Sequence, residues 1–560
     1  MVNRKRTDIS FLLICIAVIL AVNVLSSSYY GRIDFTAEKR YTLSPVTKNI
    51  LQKLKGNIQV TVYLDGDFPA GFKHLRNATR DVLSDFKAYA GGNFRYAFVN
   101  PSQGDEATQQ ATYEELISKG LEPTNLSVKT ENGLSQKIIF PAALVTYNGR
   151  QIPVKLLQNR MGATPDEVLN NSIENLEYAF ASAIVKVSSG GKPRVGFTEG
   201  NGELTDLQLS DAMRTLEDGY EVGRVDLRQI TFEGLDKLKL LIIPKPDREF
   251  SEAEKYKLNY FVMRGGRVLW AIDQVNAEMD SLQGHGAQQL TFPKKLNLDD
   301  ILFKYGVRIS YNLIADMNCA QIPVNVGSVG GQPQIQLVPW LFYPIFMPTA
   351  QHPLVRNLDG IRSEFASTID TIAVKGIRKQ VILSSSPYSR ILNAPGMISL
   401  KMIEQEPDPN DFKSVPLPTG VLLEGNFPSD FKNRPVPDGI PQQVSLPDTS
   451  KFTRMIVLSD GDILKNQVNA KDNSPFPLGY DRYTQQQYGN KALLLNIVDY
   501  LTDDSGIISL RNKEVKLRLL DRAKVRAEKL KWQLINVLFP LLLVVLCGVL
   551  QQYYRRRKYG

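Results

Sequence analysis

Two uninterrupted apolar runs, one near each end of the chain, dominate the pattern of hydrophobic and polar positions. Residues 9–25 and residues 534–550 each hold 17 consecutive uncharged positions. A bilayer-spanning helix needs about 20 mostly apolar residues, with about 17 as a lower limit. The pattern therefore predicts transmembrane helices over 9–28 and 532–552. A cleaved signal peptide is the alternative for the first run, although bulky Tyr29 and Tyr30 follow it and no A-x-A site is evident.

Basic residues flank both runs on their outer sides. They lie in the terminal tails 1–8 and 553–560 and are Arg4, Lys5, Arg6, Arg555, Arg556, Arg557 and Lys558. The positive-inside rule then places both tails in the cytoplasm and the intervening residues across the membrane. The net charge of +9 is thus interpreted as membrane topology, and no nucleic-acid partner is predicted.

A second basic segment precedes the C-terminal run. Residues 511–531 contain nine Lys or Arg against three acidic residues, with apolar positions at helical spacing. We predict a membrane-proximal basic helix, lying on the membrane surface or against a partner, and a solvated stalk is the alternative. Its predicted outer location runs against the positive-inside rule, from which long domains are exempt.

Residues 31–160 predict a first α/β domain. A strand at 57–65, a helix with apolar positions at helical spacing, a strand at 93–101 and a hairpin within 137–157 follow one another. Asn148-Gly149 marks the hairpin turn, since both residues tolerate positive φ. This is the order of a thioredoxin-like domain, but without Cys-x-x-Cys it carries no redox chemistry. Residues 161–192 predict a connecting helix and linker, with Thr164 and Glu167 forming a capping box.

Residues 193–510 predict a second α/β domain with a parallel sheet. Strands at 193–199, 238–246, 267–273 and 454–462 alternate with helical patterns, one of which is capped by Ser251 and Glu254. The stretch 274–450 is less regular and rich in proline. We interpret it as a β-rich insertion lying beside the sheet.

Most catalytic and cofactor signatures are missing from the sequence. No Gly-x-x-x-x-Gly-Lys-[Ser/Thr] loop and no Gly-x-Ser-x-Gly elbow occurs, and the three histidines show no metal spacing. Cys15 and Cys547 lie in the apolar runs, which leaves Cys319 alone between them. We therefore predict no catalytic residue, no metal and no cofactor.

Polar side chains at the carboxyl ends of the predicted strands are the candidate site. Open α/β sheets commonly bind ligands at that edge. Convergence of five acids there would suit a cation or a cationic partner. The alternative is that these residues cap helices and fill turns. The candidates are Glu199, Asn201, Glu203, Asp273, Asp460 and Asp462.

Three segments resemble one known family. RIDFTAEKRYTLSP (32–45), SIENLEYAFASAIVKV (172–187) and FTEGNGEL (197–204) look like GldG, the gliding-motility-associated auxiliary or substrate-binding component of an ABC transporter in Bacteroidetes. The resemblance covers essentially the whole chain. It implies a bacterial inner-membrane protein with a periplasmic domain, a permease and a separate ATPase as partners, and a link to gliding and type IX secretion. It also implies that 193–273 is similar to a domain shared with intraflagellar transport proteins and related to glutamine amidotransferase-like sheets.

Three hypotheses about function follow. The first is a non-enzymatic subunit of an ABC transporter complex that engages permease and cargo. The second is a membrane-tethered hydrolase or amidotransferase relative using the acidic strand ends. The third is an envelope scaffold without a small ligand.

Overall fold

The chain divides into two compact units, Met1–Lys513 and Glu514–Gly560. The computed structural model describes residues 2–28, 42–54, 56–130, 133–158, 164–188, 191–284, 287–329, 332–348, 350, 352–356, 358–440, 446–469, 471–507, 510 and 522–559. Most of the segment 32–45 and residues 511–521 of the basic segment lie outside this part of the chain. The first helix, α1, covers Val2–Ser28.

A four-stranded sheet with its helices forms what we name the four-stranded region (residues 42–188). Its order is β2-β1-β5-β6, in which β1 is parallel to β2 and antiparallel to β5. The elements are α2 (Pro45–Gln52), β1 (Ile58–Val62), α3 (Ala70–Ala90), β2 (Phe94–Phe98), α4 (Glu106–Ser118), β3 (Thr124–Thr130), β4 (Gly133–Ile139), β5 (Ala142–Tyr147), β6 (Arg150–Lys155) and α5 (Pro165–Ser188).

Local chemistry explains the two best-predicted elements of this region. The β5–β6 hairpin turns at Asn148 and Gly149, whose φ values are 49° and 79°. Helix α5 starts with the predicted capping box: Thr164 N–H donates to Glu167 at 2.8 Å and Glu167 N–H donates to Thr164 Oγ1 at 3.4 Å. The apolar stripe of α5 then packs into the core of the four-stranded region. Helix α4 and the β3–β4 hairpin were not predicted.

A seven-stranded sheet organises what we name the seven-stranded region (residues 191–507). Its first half alternates strands and helices. The elements are β7 (Arg194–Glu199), α6 (Asp206–Glu217), β8 (Glu221–Asp226), α7 (Phe232–Asp236), β9 (Leu240–Pro244), α8 (Glu252–Met263) and β10 (Arg267–Ala271). Helix α8 begins at the predicted Ser251–Glu254 capping box. All five residues of β9 are buried, as expected of a central parallel strand covered on both faces.

The predicted insertion is rich in short strands. Its elements are β11 (Val275–Asn276), α9 (Met279–Gly284), β12 (Gln288–Pro293), α10 (Asp299–Tyr305), β13 (Val307–Ile309), β14 (Asn312–Asp316), β15 (Cys319–Val329), β16 (Gln332–Phe346), β17 (Ile361–Arg362), β18 (Ile369–Thr371), β19 (Ile377–Ser384), β20 (Ser389–Asn393), β21 (Gly396–Ser399) and β22 (Pro418–Gly425). The chain returns with β23 (Thr453–Leu458), β24 (Tyr480–Asp481), β25 (Gln486–Gln487) and α11 (Asn490–Thr502).

The strand order corrects the prediction that the insertion only lies beside the sheet. The order is β19-β22-β23-β10-β9-β7-β8, so two insertion strands extend the sheet at one edge, where β22 pairs antiparallel with β23. The apolar run of β22 is buried and needs partners on both sides. The other five strands are parallel. Their chain order across the sheet is 2-1-3-4-5, counted from β8, so the topological switch point lies between β7 and β9.

Two apolar layers cover this sheet. Helices α6 and α11 pack on one face against Phe197 and Ile242. Helices α8 and α10 pack on the other face against Ile243 and Trp270. The strand ends are thereby fixed between two helical layers, and the loops that follow the carboxyl ends start from fixed positions.

The terminal helices fit membrane anchoring. Helix α12 covers Arg522–Tyr559, and its stretch Glu528–Arg557 is long and apolar enough to cross a membrane. Helix α1 has a shorter apolar stretch, Ser10–Asn23. In the described part, the predicted basic helix (511–531) and the predicted span (532–552) belong to the same helix. Residues 522–531 are good helix formers, and they run into the apolar stretch as one continuous helix.

Candidate functional site

Three of the predicted acids meet at the carboxyl edge of the seven-stranded sheet. Asp273 follows β10, and Asp460 and Asp462 follow the neighbouring strand β23. All three are buried, and one carboxylate oxygen from each lies within 4.8 Å of the others. Parallel strands end at the same edge, and this is why residues far apart in sequence come together here.

A lysine ammonium neutralises this group of acids. Lys245 follows β9, and its Nζ lies 3.2 Å from Asp273, 2.6 Å from Asp462 and 2.7 Å from Glu278. Lys465 Nζ lies 2.9 Å from the other oxygen of Asp462. Two of the three acids, Asp273 and Asp462, already share the Lys245 ammonium, so a metal ion bound between them would have to displace it.

The backbone around Lys245 is tightly constrained. Lys245 has a φ of 53°, in the left-handed region that non-glycine residues rarely adopt. A Cβ at Gly461 would lie 2.4 Å from the Cβ of Lys245, so only glycine fits opposite it. The Gly461 N–H donates to Asp273 at 2.6 Å. These contacts hold the loops after β9, β10 and β23 against one another.

The acids of the group differ in protonation. Burial, with Asp462 and Asp273 nearby, raises the pKa of Asp460 well above its usual range. Asp460 accepts N–H donors from Glu364 at 2.8 Å and Asp462 at 2.7 Å. Burial would also raise the pKa of Asp462, but Lys245 and Lys465 outweigh it and hold that pKa well below its usual range. Burial opposes the charge of Lys245, yet Asp273 and Asp462 raise its pKa well above the usual value.

The other three candidates lie at the end of β7 and in the loop between β7 and α6. Glu199 pairs with Arg224 at 3.2 Å. Asn201 donates its side-chain amide to Glu254 at 3.1 Å, and Glu203 accepts the Asn201 N–H at 2.6 Å. The five acids therefore do not all converge. Through Asn201, the loop contacts Glu254 in the first turn of α8, whereas Glu199 contacts the neighbouring strand β8.

A cavity of about 380 Å³ opens beside the buried group, near the switch point between β7 and β9. Lys294, which also lines it, pairs with Asp247 at 2.9 Å. The buried Oε1 of Glu203 accepts no hydrogen bond from the described residues. The cavity thus offers a buried carboxylate oxygen without a donor, while its lysines are paired. Its charged lining residues are Glu203, Lys245, Asp247, Glu278, Asp280, Lys294 and Lys465.

The sequence prediction missed the cations of this site. Lys245 directly follows the apolar strand LKLLIIP, so the strand-end rule that selects Asp273 selects Lys245 equally. Lys465 and Glu278 carry no such signal, since they lie beyond the ends of the predicted strands 454–462 and 267–273.

Comparison with family models gives two matches. The family described as an ABC-type uncharacterized transport system, an auxiliary-component family, matches residues 192–497. A domain of unknown function matches residues 37–146. The first match covers more than half of the chain and contains every residue of the carboxyl-edge site.

Individual proteins are more distantly similar. A protein of Borreliella burgdorferi described as uncharacterized is 21% identical over 574 residues, covering 99% of each chain. Among solved structures, the N-terminal domain of mmIFT52 covers 56% of this chain and 98% of its own, at 13% identity and a TM-score of 0.32. PurLQS from Thermotoga maritima covers 56% and 100%, at 13% identity and a TM-score of 0.23.

Proposed function

We propose a role that proceeds from family membership: the chain belongs to the family of ABC-type transport system auxiliary components. Its accessory role in transport is the starting point. The proposal is that it is a non-enzymatic, membrane-anchored subunit that binds a permease subunit and works with a separate ATPase subunit. The match over 192–497, together with the apolar stretch of α12, is the observation that carries the proposal.

A two-pass topology is part of the proposal. Both helical ends would cross a bacterial inner membrane, with both tails cytoplasmic and the body periplasmic. The basic residues outside each apolar run support this orientation. The near-complete coverage of the Borreliella relative supports treating the ends and the body as one architecture.

We also propose a fold likeness for each region and a biological process for the chain. The strand order β2-β1-β5-β6 supports a thioredoxin-like four-stranded region, and the 2-1-3-4-5 order supports an amidotransferase-like sheet in the seven-stranded region.

The likeness of 172–187 and 197–204 to GldG supports a place in gliding motility and type IX secretion. If this holds, deleting the gene abolishes both processes in a gliding host and leaves general growth intact.

The non-enzymatic reading is favoured by the charge state of the acidic strand ends. The enzyme alternative uses the same acids, but Asp462 is held by Lys245 and Lys465, and Asp460 accepts two backbone N–H donors. Asp462 is a poor general base, because the two lysines hold its pKa below its usual range, and the N–H donors of Asp460 fix that carboxyl in place. A pure scaffold would likewise make no catalytic use of these acids.

A pulldown tests the partnership. The tagged full-length chain is extracted from its native membrane in mild detergent, and the co-purifying proteins are identified by mass spectrometry. A matched variant carries an unrelated single-span helix in place of residues 528–557, so that anchoring persists without the native helix surface. We expect an ABC permease and an ATPase in fixed ratio with the native chain and their loss with the swap. Recovery of neither from a folded native sample contradicts the proposal.

The cavity at the carboxyl edge is proposed as the ligand or cargo contact of the body. The unpartnered Oε1 of Glu203 supports a cationic group there. Glu203→Gln should impair transport-linked function, whereas Glu199→Gln, at the same strand end but outside the cavity lining, should not. Equal effects of the two substitutions would contradict a role for the cavity.

A further inference from the structure

A second cleft lies at the amino ends of the parallel strands of the seven-stranded sheet, where the four-stranded region meets that sheet. Its volume is about 630 Å³. Helix α5 contributes Tyr178 and Val185 to one wall, and Tyr220 and Leu238 contribute to the other, with Ile507 at one end. Cavities of this size that lie between two parts of a chain, with apolar lining and a few converging polar groups, are typical small-molecule sites. We name it the junction cleft.

The junction cleft is bridged by a carboxylate with three donors. Asp499 on α11 lies 2.8 Å from Lys186 Nζ and accepts the hydroxyls of Tyr220 at 2.6 Å and Tyr178 at 3.4 Å. Lys186 and Tyr178 lie on α5, so this contact joins the two regions. Burial, with Asp499 next to it, raises the pKa of Tyr220 well above its usual value, which keeps its hydroxyl a donor.

The other acids of the junction cleft are engaged as well. Asp504 pairs with Lys239 and Arg267. Asp236 accepts the Tyr260 hydroxyl at 3.0 Å. Asp503 accepts the N–H groups of its own turn, from Ser505 at 2.7 Å and from Gly506 at 3.1 Å. No acid of the lining is left over to receive a cationic ligand.

Two lysines of the lining have no carboxylate partner among the described residues. Within the described part of the chain, the Lys237 ammonium has no ion pair or hydrogen bond, and Lys192 Nζ donates only to the main-chain carbonyl of Glu217. Positive charge without a carboxylate partner therefore stands beside an apolar wall. A ligand with an anionic head can form charge-assisted hydrogen bonds with such ammonium groups.

We propose that the junction cleft binds a small amphipathic carboxylate, whose apolar body lies between Tyr178, Val185 and Leu238 and whose head meets Lys192 and Lys237. Such a ligand contacts both regions at once. It therefore stabilises their observed arrangement by mass action. This binding is a property of the isolated chain and does not require the proposed permease or ATPase.

Titration of the full-length chain in nanodiscs tests the proposal. The probes are octanoate and octylammonium, which share an apolar chain and differ in charge, and empty nanodiscs give the partitioning baseline. We expect saturable binding and a higher unfolding temperature with octanoate only. The double variant Lys192→Gln/Lys237→Gln should weaken octanoate binding by about tenfold or more. The control Lys413→Gln, an exposed lysine elsewhere, should leave it unchanged.

A second variant separates cleft binding from adsorption to the bilayer. Ser182→Trp places a large ring in the cleft and should abolish octanoate binding while the unfolding temperature without ligand is kept. If that variant does not fold, the double lysine variant decides the question alone. Equal binding of both probes, preference for octylammonium, or octanoate binding insensitive to the two lysines would each overturn the proposal.

Discussion

At the scale of single residues, buried polar groups with fixed partners govern how this chain responds to pH and substitution. His352 is one of them: it is buried, its Nδ1 accepts the Leu354 N–H at 3.3 Å, and its ring meets Tyr500 edge-on at 5.2 Å. Burial lowers its pKa from 6.5 to about 4, with Glu424 opposing and Arg378 adding to the shift.

The sign of the resulting pH dependence follows directly. In the unfolded chain His352 takes up a proton near its ordinary pKa, whereas the folded state resists protonation until about pH 4. The unfolded state thus binds more protons in this window, so stability falls as pH drops from 6.5 toward 4, by up to roughly 3 kcal/mol from this residue. His352→Asn keeps an acceptor near Leu354 and removes the titration. Unfolding midpoints measured across this window should be flatter for the variant, and a parallel pH profile would contradict the assignment.

Lys245 should matter more to stability than an exposed lysine. Lys245→Met leaves Asp273, Asp462 and Glu278 without their shared cation, and removal of one partner from a buried ion group costs about 3–5 kcal/mol. Lys239→Met breaks a more exposed pair with Asp504 and should cost no more than about 1 kcal/mol. Denaturant unfolding of both variants checks the difference. Adding Asp462→Asn should restore part of the loss only in the Lys245 variant.

These residues also mark the limit of what could be predicted from the sequence. Asp273, Asp460 and Asp462 were placed at one edge because each directly follows an apolar strand of a predicted parallel sheet. Glu278, by contrast, reaches Lys245 through an insertion loop whose path depends on strand pairings between distant segments. A single sequence carries no local signal for such pairings, because they depend on packing across the fold.

At the scale of elements, helices and turns with local chemistry were predictable and strand partners were not. Helices α5 and α8 begin at capping boxes that can be identified in four residues, and β5–β6 turns at Asn148-Gly149. Strands β19 and β22 lie within the proline-rich stretch. They join the large sheet because β19 pairs with β22 and β22 pairs with β23, more than 25 residues further along the chain. Local periodicity cannot decide between two possible sheets for such strands.

The end of the seven-stranded region returns to the core of the four-stranded region. Ile507 and Leu510 are buried in the same cluster as Leu43, from the beginning of that region. The two parts of the chain therefore share hydrophobic burial at their junction. Residues 42–188 alone would lack these contacts.

A substitution at Leu510 tests this shared core. Leu510→Ala should destabilise the four-stranded region by roughly 2–5 kcal/mol, the usual range for truncating a buried leucine. Limited proteolysis should then cut first within residues 42–188. Val415→Ala is the matched control, because Val415 is 81% exposed and far from this cluster in sequence. Unchanged proteolysis of the Leu510 variant would show that the segment contributes little to that core.

At the scale of the whole molecule, the remaining question is on which side of the membrane the body lies. The proposed two-pass topology places residues 42–507 outside the cytoplasm and the basic C-terminal tail inside it. The two native cysteines of the apolar runs lie within the helices α1 and α12. The third, Cys319, should react slowly, because burial raises the pKa of its thiol to about 12 and the thiolate is the reactive form. The native chain therefore gives a low labelling background.

Single cysteines can then report the side of the membrane. Val415→Cys lies in an exposed part of the body, and Tyr554→Cys lies in the basic tail, where the tyrosine is 72% exposed. With an impermeant maleimide on spheroplasts, Val415→Cys should be labelled at once and Tyr554→Cys only after permeabilisation. The reverse pattern would place the body in the cytoplasm and would remove the proposed contact with periplasmic cargo. Labelling of both before permeabilisation would mean that α12 does not cross the membrane, although its length and composition allow it.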